Sequence, residues 1–167
     1  MYRKETVTIQ DSPMEILIFE PDGPGPHPGI VVAQHLPVAH EGLEKDPFTI
    51  DTGEKLAAAG YVCVIPWVFH WWTPETDILV KREEFDDGRC LADMQAGFDL
   101  IAGMENVDAD RIGIMGHCWG GRVSWLHACP TSFTSMTAPG TGSRISSTRT
   151  ATARNRRRMP GPKSTCS

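Results

Sequence analysis

The residues best suited to chemistry are Gly116-His117-Cys118-Trp119-Gly120. A thiol flanked by glycine two residues before and two after, between an apolar strand and a helix, is the pattern of a nucleophile held on a sharp strand-to-helix turn. The spacing has a steric cause. The chain must cross close to itself at such a turn, and only small residues leave room. The turn lifts the thiol above the end of the sheet. The following helix aims the partial positive charge of its N-terminus at the sulfur, which favours the thiolate, the nucleophilic form. The Trp119 backbone N–H then lies where it can stabilise the oxyanion of an acyl-transfer intermediate. A buried structural cysteine on a glycine-rich turn is the competing reading. The strand before and the helix after weigh against it.

The elements that must position this turn follow from the apolar pattern. Residues 5–9 and 15–19 are short β-type runs separated by Asp11, Ser12 and Pro13, which suggests an N-terminal hairpin. Gly29 to Gln34, Tyr61 to Pro66 and Asp110 to Met115 are apolar runs too short for helices. They read as strands buried on both faces of a parallel sheet. Helical spacing covers 49–59 and 88–104, and a third helix is expected from about 121 to 128. Residues 67–80 read as an aromatic loop. Strands alternating with helices predict a mostly parallel sheet with flanking helices.

Gly-His-Cys-Trp-Gly-Gly-Arg at 116–122, following Asp-Arg-Ile-Gly-Ile-Met at 110–115, resembles the dienelactone hydrolase family of α/β-hydrolases. The resemblance covers roughly residues 5–127. It includes Val31 to Gln34, Gly60 to Pro66 and the charged stretch Lys81 to Phe85. It implies an α/β-hydrolase-like sheet and hydrolysis of lactones and small esters, as in carboxymethylenebutenolidase. It also implies a Cys-His-Asp triad and no cofactor. Cys118 would be the nucleophile. The backbone N–H groups of Leu36 and Trp119 would form the oxyanion hole. Arg82 resembles the arginine that holds a substrate carboxylate, with Lys81 its neighbour and competitor. Trp71, in the loop after the second buried strand, would help wall the pocket. Founding members place a glutamate after the strand-ending Ala-Gln. This chain has His35 there, an imidazole able to polarise a thiol or bind an anionic substrate, so the substrate is expected to differ from dienelactone. Trp119 is expected to narrow the acyl pocket. His117 reads as a structural neighbour of the thiol.

Residues 128–167 are a different material. The net charge of −5 divides sharply. All 21 acidic residues precede residue 128, whereas 128–167 carries seven basic residues and none acidic. Rich in serine, threonine and arginine, this stretch is expected to be a disordered tail. It is read as an out-of-frame or aberrantly spliced translation, with a genuine basic tail as the alternative. The domain reading is therefore 1–127, the front part of a hydrolase domain truncated after the helix that follows Cys118, and 128–167, the tail. In this fold the acid and the histidine follow the nucleophile. No Asp, Glu or His follows His127, so activity is expected to be impaired. The rival readings are a pseudo-hydrolase binding module and a non-functional fragment.

Five cysteines without a CxxC pair argue against a disulfide framework and against a metal site. No apolar run suits a signal peptide or a membrane span. The expectation is a cytoplasmic protein acting on a small ester or lactone, with no nucleic-acid, membrane or metal partner. Oligomeric state is left open.

Overall fold

A computed structural model of the chain describes residues 1–35 and 38–129. The chain divides after Ala128, and Met1–Ala128 is one compact unit, with Cys129 the first residue of a second. Only Cys129 of the second is among the described residues, so the expected tail lies outside them apart from Ala128, which is helical, and Cys129, and Leu36 lies outside them too. Cys129 is disulfide-bonded, which the cysteine count did not lead one to expect.

The first unit carries five strands: β1 (Tyr2–Ile9), β2 (Ser12–Phe19), β3 (His27–Ala33), β4 (Val62–Pro66) and β5 (Val107–Gly116). Among the described residues four α-helices accompany them: α1 (Pro47–Ala58), α2 (Ile78–Glu83), α3 (Asp87–Ala102) and α4 (Trp119–Ala128). The strand order is β1-β2-β4-β3-β5. β1 and β2 form an antiparallel hairpin, and β2 also pairs antiparallel with β4. β3 pairs parallel with both β4 and β5. The sheet is thus mixed rather than mostly parallel. The hairpin, joined by a tight turn at Gln10 and Asp11, is the antiparallel half, whereas the β3, β4 and β5 connections run through helices.

The core divides between the two faces by strand alternation. Ile16, Ile18, Val31, Val62 and Val64 face α3 and α4, packing with Met94, Ile101 and Val123. Leu17, Phe19, Val32, Cys63 and Ile65 face the other side, with Ile50 and Leu56 of α1 against them. Gly53 of α1 is required by this packing, since a Cβ there would sit 2.4 Å from the Phe19 ring. β5 differs from expectation. Ile112 and Ile114 are only partly buried and Arg111 is exposed, because among the described residues β5 pairs with β3 alone.

α1 begins at Asp46, whose carboxylate accepts from Phe48 N at 3.1 Å, with Pro47 at the first helical position. α2 was not expected, and its first three residues fall at the end of what reads as the 67–80 loop. It is six residues long and capped by Asp77. Lys81 explains its place: the residue is fully buried, and its ammonium donates to the carbonyls of His40 (2.9 Å) and Pro74 (3.3 Å). Burial lowers its pKa, with Glu41 and Glu75 acting in the opposite sense. Lys81 therefore ties two loops together.

Candidate active site

Register places the site. Ala33 at the end of β3 pairs with Gly116 at the end of β5. His35, two residues beyond Ala33, and Cys118, two beyond Gly116, consequently leave the same edge of the sheet side by side.

At the turn, Cys118 has φ 55°, a left-handed conformation that side-chain-bearing residues rarely adopt. Its neighbours hold it there. Gly120 N donates to His117 O (2.9 Å) and Gly121 N to Cys118 O (3.1 Å), starting α4 directly on the turn. A Cβ on Gly116 would lie 2.3 Å from the Gly120 carbonyl, and one on Gly120 would lie 2.1 Å from Ala33 O. Both glycines are therefore dictated by chain crossing, as their spacing predicts.

Cys118 is exposed, whereas Cys63 and Cys90 are buried. Burial pushes the Cys63 thiol up to about 12. It raises that of Cys90 further, aided by the Asp93, Asp87 and Asp86 carboxylates. Of these three thiols, only Cys118 meets solvent.

Cys118 opens into a cavity of about 300 Å³, lined also by His35, Asp46, Phe48 and His117. The rings of His35 and His117 pack edge-on against Phe48, at 4.8 and 5.1 Å between centroids. Asp46 is 2% exposed and lies 3.7 Å from His35 Nδ1, while also accepting from Thr49 Oγ1 at 2.5 Å. The α1 cap thus doubles as the partner of His35. Asp46 and Phe48 were missed by sequence reasoning. An Asp-Pro helix start signals a cap, but nothing local says what else the cap faces.

The other expected site residues lie apart from this cavity. Arg82 is exposed on α2. Trp71 donates its indole N–H to Asp93 (3.2 Å), with Arg89 over its ring. The Trp119 ring packs on Phe85 at 4.3 Å, in a cluster with Trp72 and Phe69, and does not line the cavity. The aromatic loop is hence largely a packed cluster. His127 stacks on Phe98 of α3, 4.7 Å between centroids, and burial lowers its pKa. No group of three or more His, Cys, Asp or Glu among the described residues could hold a metal ion. None of their helices is long and apolar enough to cross a membrane.

A 1-2-4-3-5 mixed sheet with helices on both faces, and a strained cysteine where the strand β5 meets α4, define an α/β-hydrolase fold. The chain belongs to the dienelactone hydrolase family, whose model matches residues 14–156. The match runs past residue 127, where the motif resemblance ends. A protein of Methylorubrum extorquens, provisionally named a carboxymethylenebutenolidase, is 26% identical over 129 residues, covering 73% of this chain and 42% of that protein. One of Yersinia pestis, named in the same way, is 28% identical, covering 74% and 46%. The chain spans about half the length of these curated relatives. The crystal structure of a protein provisionally named a dienelactone hydrolase, from Klebsiella pneumoniae, superposes with a TM-score of 0.64 at 25% identity, covering 77% of this chain and 54% of that one. The dienelactone hydrolase of Anabaena variabilis, at 16% identity and TM-score 0.59, shares the fold.

Proposed function

We propose that the protein hydrolyses small esters or lactones through Cys118. The observation that carries this reading is the conformation of Cys118: exposed, left-handed, and open to a cavity at the end of the sheet. The thiolate would attack the acyl carbon, giving a tetrahedral oxyanion. The Trp119 and Leu36 N–H groups would hold that oxyanion. Expulsion of the alcohol leaves a thioester, and water then releases the acid and the thiol. His35 is the substrate-facing residue of the expected set that lines the cavity, with Phe48 and His117 beside it. Arg82 and Trp71 are kept out of the reading because neither lines the cavity.

Residues 1–127 would form the hydrolase part and 128–167 a separate tail. Residues 128–167 hold no Asp, Glu or His, so that stretch supplies neither an acid nor a histidine to the thiol.

The test is acylation by p-nitrophenyl acetate, read as p-nitrophenolate release and as an acetyl adduct located by peptide mass spectrometry. An adduct on Cys118 that disappears in Cys118→Ala is expected. Release that is unchanged in that variant would overturn the reading.

A further inference from the structure

Residues 128–167 offer the thiol no histidine or carboxylate. The cavity lining does. We propose that His35, oriented by Asp46, is the general base for Cys118, an assignment that rests on the cysteine-hydrolase reading.

Three observations converge. The Ala33–Gly116 pairing brings the residues two beyond each to one edge, so His35 and Cys118 line the same cavity. The buried Asp46 faces Nδ1 of His35, and no hydrogen bond to another described residue involves Nε2. Phe48 packs edge-on against the imidazole and restricts its swing. At 3.7 Å the Asp46 carboxylate is beyond hydrogen-bond length, but its charge favours the tautomer with the proton on Nδ1, which leaves Nε2 as the proton acceptor. The set is Cys, His and Asp, assembled from the β3 and α1 side of the sheet edge instead of from segments after the nucleophile. Asp46 acts through His35 and is a positioning residue.

The proton balance closes. Nε2 takes the Sγ proton as the S–C bond forms. It returns that proton to the departing alkoxide as the C–O bond breaks. It then takes a proton from water as hydroxide attacks the thioester, and gives it to the thiolate that leaves. Neither oxidant nor cofactor enters. His117 also lines the cavity and is the competitor for this role. It adjoins Cys118 in the chain and has no carboxylate partner among the described contacts.

The experiment measures two rates on the full chain: alkylation of Cys118 by iodoacetamide, and acylation by p-nitrophenyl acetate. In His35→Gln, alkylation at pH 7 is expected to fall about tenfold and acylation about 10²-fold. Asp46→Asn keeps a side chain that caps helices as well as Asp. It should therefore melt like the parent while losing about tenfold in acylation. In His35→Ala, added imidazole should restore much of the loss, which a merely structural role would not allow. Unchanged alkylation and acylation in His35→Gln would overturn the assignment, as would a loss carried by His117→Gln alone. Should the parent alkylate at Cys118 in a His35-dependent way yet never acylate, the base is upheld and the hydrolase reading falls. If Cys118 acylates independently of His35, the reverse holds.

Discussion

Two histidine–aspartate pairs lie in the same unit and differ in every respect that bears on chemistry. His70 Nε2 bonds Asp93 at 3.0 Å, and both side chains are wholly buried. His70 Nδ1 meets Ser12 Oγ at 2.8 Å, and that hydroxyl also bonds the His70 carbonyl. Trp71 takes the second Asp93 oxygen. Every polar atom of this pair is engaged, and it ties the β1–β2 hairpin to α3. The His35–Asp46 pair is looser, at 3.7 Å, with the imidazole 17% exposed beside a thiol and a cavity. Serine, histidine and aspartate in a row are not poised for a substrate when the histidine and aspartate side chains are wholly buried. The looser pair, beside an open thiol, lines a cavity.

The largest effect expected from breaking this contrast is on stability. His70→Ala strands a buried carboxylate and should cost about 3–5 kcal/mol in chemical denaturation. His35→Gln should cost less than about 0.5 kcal/mol, as a partly exposed substitution. Comparable losses from the two would erase the distinction.

Next in size is activity. His35→Gln should lower acylation of Cys118 about 10²-fold. A His70→Gln protein, assayed below its melting temperature, should acylate at close to the parent rate. Asp46→Asn should fall between them, at about tenfold.

The pH dependence sharpens the comparison further. Burial raises the Asp93 pKa, while the bond from His70 opposes that rise. In His70→Ala the opposition is gone, so the folded carboxyl binds its proton more tightly than the unfolded one. Stability of that variant should then be greatest in acid and fall as pH rises through the folded value. Urea titrations at several pH values would read this, and a loss independent of pH would contradict it.

The smallest effect concerns His127. Its pKa is lowered by burial against Phe98, so the neutral ring is favoured in the fold. The stabilisation it brings should be present above the ordinary histidine range and fade as pH falls through it. His127→Phe should flatten that slope, measurable as a melting-temperature difference between pH 5 and 7.

Much of this architecture was legible in the sequence. The hairpin, the three inner strands, α1, α3 and α4 lie within a few residues of where period and turn chemistry put them, because those signals are local. α2 was missed, since its six residues are organised by the buried Lys81 ammonium and not by an apolar stripe. The half-exposed state of β5 was missed too, because an apolar run does not report how many neighbours it will have. At the site, Cys118 and its two glycines could be read directly. Trp71 could not be placed, since a tryptophan after a strand can wall a pocket or, as here, bond a buried carboxylate.

The sequence by itself determined the strained turn. Gly116 is set by how closely the backbone passes Gly120, four residues along the chain, and Gly120 by its approach to Ala33 of β3, and the Gly-x-Cys-x-Gly pattern carries both constraints in the sequence. It also determined the alternation that sorts the core onto two faces. Only the tertiary structure decided which side chains share the cavity with the thiol. His35 and Asp46 are eleven residues apart, and they converge on Cys118, more than seventy residues further along, through the parallel pairing of β3 with β5 and the capped start of α1. Contacts of that separation depend on strand register, and register is settled by the packing of the whole sheet.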